Sequence, residues 1–343
     1  MLTATSGALH VKQQQSQEIA FLEHFMTVVG NDISKSKEGA TSEESLKPLH
    51  VLYYYLILTL VKMISLAPFW LLYALSDILY YPVYYILRYR RKIVHKNLTE
   101  SFPEKSPEDI IKIEKGFYHF LIDLIFESCK LASIKPEEMK RRMKFINIEL
   151  LNDMIDEGKS ISVYVGHYCN WEWLSSSGLW LHKKARSGQI YHQLNDKAID
   201  KIMRTIRERM GNVCIDMNKT VQYIVEAKRA NQQLIIGFIA DQSPRRSASK
   251  NFEKFLNHMV PVLTGTEKVT KHFGYEAAFF GVRRIKRGYY ECVVSSLHDN
   301  PSSLPDYQLT SLYYQRLEQE IMEQPECYLW SHKRFRYARK LDS

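Results

Sequence analysis

Hydrophobic and polar positions divide the chain into three stretches. Residues 1–46 are polar and weakly patterned (Lys12-Gln13-Gln14-Gln15, Thr41-Ser42-Glu43-Glu44), which predicts a disordered or loosely ordered extension. From Val51 to Leu75 the sequence is almost continuously apolar, with one charge, Lys62. A spanning helix needs about 20 apolar residues, but Lys62 is disfavoured at mid-membrane and Pro68 is expected to kink or end a helix. Apolar character resumes at Ile78–Leu87, rich in tyrosine, and Arg88–Lys96 follows with five positive charges and no acid. A basic flank after an apolar run marks the cytosolic side of a membrane and suits anionic lipid. Residues 47–98 are therefore expected to be membrane-anchoring apolar helices, spanning or lying on the bilayer. Residues 99–340 form the third part.

There the pattern alternates. Ser106-Pro107-Glu108-Asp109 starts a helix, with a Ser cap, Pro at the first position and acids in the first turn, and it runs to about Leu131. Lys135-Pro136-Glu137-Glu138 starts a second, through Met143. Asn147–Glu157, the stretch from His167 to Leu181, Ile199–Met210, Thr220–Arg229 and Pro305–Glu323 also read as helices. Ser160–Val165, Gln189–His192, Val213–Asp216, Gln233–Ala240, Ala277–Val282 and Tyr289–Ser295 are short, apolar and β-branched, and read as strands. Strands alternating with helices predict an α/β fold with a mixed, mostly parallel sheet flanked by helices.

Composition narrows the partners. Forty-seven Lys and Arg against 38 Asp and Glu leave a net charge of +9, which suits an anionic partner. No recognition-helix, RRM, KH or zinc-finger pattern points to nucleic acid. The five cysteines, at 129, 169, 214, 292 and 327, form no C-x-x-C pair, so neither a disulfide framework nor a metal site is expected.

Open α/β sheets place ligand sites beyond the carboxyl ends of their strands. Three features lie there. Gly166-His167-Tyr168-Cys169-Asn170-Trp171-Glu172 follows the first strong strand. On one continuous helix, His167 and Glu172 would point about 140° apart. A turn at Gly166 would let Glu172 accept a hydrogen bond from one ring nitrogen and leave the other as a general base. Asp241-Gln242-Ser243-Pro244-Arg245-Arg246 follows a buried strand, and its arginines suit phosphate or carboxylate. Thr264-Gly265-Thr266-Glu267-Lys268 could open a helix whose N-terminus faces an anion. There is no G-x-S-x-G elbow and no G-x-G-x-x-G.

Taken in order, these motifs resemble the bacterial lipid A biosynthesis acyltransferase family (lauroyl/myristoyl type), a lysophospholipid-acyltransferase-like group. The likeness runs from about Leu49 to Arg336. It includes His95-Lys96-Asn97-Leu98, Ser101-Phe102-Pro103, the His167–Glu172 segment, Ala240–Pro244, Thr264–Lys268 and Trp330-Ser331-His332-Lys333-Arg334. Two positions depart from the family pattern: Cys169, where relatives often carry Gly, and the less regular Lys250–His258.

The resemblance implies a glycerolipid acyltransferase-like fold at the cytoplasmic side of the inner membrane, with His167 and Glu172 as the catalytic pair. It implies no metal and no cofactor. Acyl carrier protein would be the donor, and a hydroxyl of a lipid A precursor of the Kdo2-lipid IVA type the acceptor. The expected substrate-binding residues are Asn170, Trp171, Asp241, Gln242, Arg245, Gly265 and Lys268. Seven further positive charges in Arg283–Arg287 and Lys333–Arg336 suit both acidic substrates. A lysophospholipid, glycolipid or aminolipid acceptor is the alternative.

Overall fold

The computed structural model describes residues 48–244 and 251–339. Its apolar N-terminal run is broken. Helix α1 (Pro48–Leu66) and helix α2 (Phe69–Tyr81) meet at Pro68, and the pair is bent by 114°. The break follows from proline, which donates no N–H and clashes with the preceding turn. Among the described residues no single helix is long and apolar enough to cross a membrane. The bent pair, continued to Ile86, meets that requirement by length and composition. One face of the pair packs inward through Tyr54, Ile57, Val61 and Leu72. The other exposes Leu52, Leu56, Leu60, Met63, Trp70, Ile78 and Leu79. A π-turn (Pro82–Ile86) leads to α3 (Arg91–Ser101).

These helices lie against α4 (Pro107–Lys130), whose start follows its sequence signal: Ser106 Oγ accepts from Asp109 N at 3.2 Å. Ser76 Oγ donates to Asp123 at 2.6 Å, which fixes α2 on α4. Leu72, Tyr84, Val94 and Leu98 share one core with the rest of the protein.

Helix α5 (Pro136–Arg142) runs into β1 (Met143–Ile146), a strand where the sequence suggested only the end of a helix. The signal was four residues of period 2, with Met143 and Phe145 buried and Lys144 and Ile146 exposed. Then follow α6 (Glu149–Asp156), β2 (Ile161–Val165), β3 (Arg186–Tyr191), α7 (Lys197–Glu208), β4 (Val213–Asp216), α8 (Thr220–Arg229) and β5 (Leu234–Ile239). After them come the hairpin β6 (Phe252–Phe255) and β7 (His258–Pro261), α9 (Gly265–Phe273), β8 (Glu276–Lys286), β9 (Tyr289–His298) and α10 (Gln308–Glu323).

Seven strands form one sheet in the order β1-β9-β8-β2-β5-β3-β4. Neighbours run parallel except β8 and β9. This is the mixed, mostly parallel α/β sheet expected. Strands β2 and β5 are central, and every residue of β2 is buried.

The hairpin β6–β7 was not foreseen. Its turn residues, Leu256 and Asn257, both have positive φ (50° and 61°), as a two-residue type I′ turn requires. A Leu-Asn turn lacks the usual glycine, so this irregular-looking segment hid a regular hairpin.

Candidate active site

The register of the two central strands builds the site. Val165 of β2 pairs with Ile239 of β5. Two residues beyond each lie His167 and Asp241, so parallel pairing brings both to the same edge. His167 Nδ1 is 2.7 Å from Asp241 Oδ1. The histidine side chain is 17% exposed and the carboxylate 2%. Burial alone would push the Asp241 carboxyl up. The adjacent His167 charge, its hydrogen bond and the Arg334 guanidinium outweigh this and hold it below the usual range.

With Nδ1–H donated to Asp241, Nε2 carries the lone pair. The Gln242 amide nitrogen lies 3.2 Å from it. The Trp171 ring stands edge-on to the imidazole at 5.3 Å.

Two consecutive tyrosines on α10 hold the strand ends. Tyr313 donates to Val165 O and Tyr314 to Ala240 O, each at 2.8 Å. Arg334, fully buried, donates to Pro261 O and to the Tyr314 hydroxyl. The residue just before the terminal motif also joins the scaffold, since Leu329 N donates to His167 O. Asn97, from the basic N-terminal motif, donates to Trp330 O and His332 O. Cations crowd this region. His258 is pushed down to about 4 by burial and by Arg334 and Lys96. His332 is also lowered, first by burial and then, against a raising effect of Asp241, by His167, Arg334 and Arg90.

The expected bond between His167 and Glu172 is not formed. After Asn170 the chain enters a tight 3-10 segment (Trp171–Leu179), which turns Glu172 toward α7. There it makes a bidentate pair with Arg207, at 2.8 and 2.6 Å. Gly166 has a different task from the one expected. It does not have positive φ; instead, a Cβ there would come within 2.5 Å of Leu317 on α10. The left-handed residue is Cys169, at φ 48°, where glycine is the easier residue.

Asn170 is not open to a substrate. It is fully buried, caps Trp173 N through its oxygen, and donates to Glu127 Oε2 at 2.6 Å. Gly265 opens α9 as expected, with open space at its Cα, and Lys268 is exposed on that helix. Among the described residues neither makes a hydrogen bond or ion pair with the His167 group. Arg245 lies outside the described residues. Sequence reasoning missed Glu127, which only the fold brings to the site.

An apolar cavity of about 40 Å³ lies against Trp171, which also stands edge-on to His167. Its walls include Val163 and Val165 of β2, and Ile235, Gly237 and Ile239 of β5, and Trp171 borders it. His167 and Asp241 lie two residues beyond the carboxyl ends of these two strands and do not themselves line the cavity. Among the described residues no group of His, Cys, Asp and Glu could hold a metal ion. The arrangement provides an oriented base, an apolar slot and a cationic surround.

The profile of the bacterial lipid A biosynthesis acyltransferases matches residues 41–337. The chain belongs to that family. This acyltransferase is similar to the lipid A biosynthesis palmitoleoyltransferase of Escherichia coli K12 and to a lipid A biosynthesis acyltransferase of Shigella flexneri. Each is 24% identical over 257 residues, covering 73% of this chain and 80% of the relative. All five cysteines of the acyltransferase are free.

Proposed function

We propose that this acyltransferase moves a fatty acyl group from acyl carrier protein to a hydroxyl of a lipid A precursor of the Kdo2-lipid IVA type, with His167 as general base. The observation that carries the reading is the His167–Asp241 pair just beyond the ends of in-register strands, with Trp171 packed against both the imidazole and an apolar slot. Nε2 takes the proton of the acceptor hydroxyl as its oxygen attacks the thioester carbon. Asp241 holds the tautomer and stabilises the imidazolium. Collapse of the tetrahedral intermediate breaks the C–S bond, and the proton returns from Nε2 to the departing thiolate. Base catalysis of this kind contributes about 10²–10⁴-fold. The N–H groups of Trp171 and Glu172, which open the 3-10 segment ahead of the capped Trp173 N–H, supply donors for the oxyanion.

Gln242 occupies the place on Nε2 that the acceptor hydroxyl takes, so it swings aside on binding. Glu172 acts indirectly, holding the 3-10 segment on α7 so that Trp171 faces His167. The acyl tail enters at Trp171 and widens the slot by side-chain movement. The cationic surround suits the phosphates of the acceptor and the acidic carrier. The exposed face of α1 and α2, with the basic Arg88–Lys96 flank, suits the cytoplasmic leaflet of the inner membrane.

Purified protein offered acyl-carrier-protein thioesters and a panel of lipid acceptors tests this. Transfer to the lipid A precursor is expected, and is lost in His167→Ala. Transfer only to lysophospholipids, or full activity in His167→Ala, overturns it.

A further inference from the structure

Beneath the His167 loop lies a carboxylate with no role in the chemistry above. Glu127, on α4, is 1% exposed. Three donors converge on it: Tyr73 OH on Oε1 at 2.9 Å, and Asn170 Nδ2 and Tyr290 OH on Oε2 at 2.6 and 2.8 Å. Its backbone carbonyl accepts from Trp173 Nε1 at 2.9 Å. Glu127 therefore grips the loop on both sides of Trp171 and Glu172, through residue 170 and through residue 173.

We propose that Glu127 is a positioning residue for the acyltransferase reaction, holding Asn170 so that Trp171 and the imidazole of His167 keep their relative place. This rests on His167 being the base. The loop needs such a hold. It passes through Cys169 in a left-handed conformation that a side chain disfavours, and its next residue, Asn170, must cap Trp173. Holding the amide nitrogen of Asn170 turns its oxygen toward Trp173 N, and Glu127 is the group that holds it. The contact has a sense of direction, since the amide donates and the carboxylate accepts.

That polarity gives the test. Glu127→Gln turns one oxygen into an NH₂ group facing donors, and Asn170→Asp places two carboxylates together. The swap Glu127→Gln with Asn170→Asp restores one donor and one acceptor, and the carboxylate introduced at position 170 can still cap Trp173. Each single substitution is expected to lower kcat by about 10–100-fold, the scale of a small misplacement of reacting groups, with KM nearly unchanged. The swap is expected to recover most of that loss. Tyr73→Phe and Tyr290→Phe, which leave the Asn170 bond in place, are expected to lower Tm with little change in kcat.

Undiminished kcat in Glu127→Gln, a swap that is unfolded or no more active than the weaker single variant, or an equal loss of kcat in the tyrosine variants would overturn the proposal. If a single variant does not fold, the swap decides. His167→Ala is measured in parallel. Activity in that variant removes the base reading itself, whereas an inactive His167→Ala with unaffected Glu127→Gln removes only the role of Glu127.

Discussion

Asp241→Asn separates the two carboxylates that compete for the role of partner to His167. The substitution keeps volume and hydrogen-bonding capacity but removes the charge 2.7 Å from Nδ1. With the charges taken as about 4 Å apart and an effective dielectric of about 20, the interaction with the imidazolium is worth about 4 kcal/mol. That corresponds to about 10³-fold in rate. The amide can also donate to Nδ1, which would place the proton on Nε2 and block the base. The combined loss is therefore about 10³–10⁴-fold in kcat, with little change in KM.

The assay is single-turnover transfer from a radiolabelled acyl carrier protein thioester, followed by separation of the lipid product. Glu172→Gln, measured alongside, keeps one hydrogen-bond acceptor toward Arg207 and is expected to lose far less. A kcat for Asp241→Asn within a few-fold of wild type, combined with a steep loss in Glu172→Gln, would refute the geometric argument. It would mean that the carboxylate of the same loop segment, not the one across the sheet, acts on the imidazole.

Three further outcomes follow from the same geometry. Gly237→Ala is expected to narrow the slot with little strain, because a Cβ there meets only ordinary contacts at 3.7 and 3.9 Å; kcat/KM for long-chain donors should fall relative to short ones by up to about 10-fold, measured by competition between thioesters. Glu172→Ala leaves Arg207 largely buried without its bidentate partner and should cost about 3 kcal/mol in urea unfolding, part of which Arg207→Ala should return in the double variant. Burial pushes the Glu127 carboxyl up from 4.5 to about 7, despite hydrogen bonds from Tyr290, Tyr73 and Asn170. The folded state then holds a proton that the unfolded state has lost, so stability should fall by about 3 kcal/mol as pH rises from about 4.5 to 7; unfolding of Glu127→Gln should lack this component, and an unchanged slope would contradict it.

Much of the architecture was written locally. Ser106 and Pro107 announced α4, and apolar runs bounded by polar residues announced β2 and β5, because capping and burial act over a few residues. What was lost depended on distance or on unusual backbone. Strand β1 is four residues long, too short for its alternation to stand out beside a helix. The β6–β7 turn uses Leu256 and Asn257 where glycine would have announced it. Glu127 looked like one more acid on an amphipathic helix; its partners come from α2, from β9 and from the His167 loop, and only the packed structure unites them.

His167 and Glu172 show why spacing alone misleads. Four intervening residues suggest a local pair, and the motif does mark the imidazole that the sheet places beside a carboxylate. But the left-handed turn at Cys169 and the tight 3-10 segment after it send the Glu172 side chain to Arg207. The partner on Nδ1 comes from residue 241, delivered by a register in which Val165 faces Ile239. A parallel sheet makes such a pairing rigid, because shifting β5 by one residue would turn Asp241 to the opposite face of the sheet, away from His167. The two acids then divide the work by position. Asp241 touches the ring, while Glu172 anchors the segment that carries Trp171 against it, so each should fail in its own way when removed: one in rate, the other in stability.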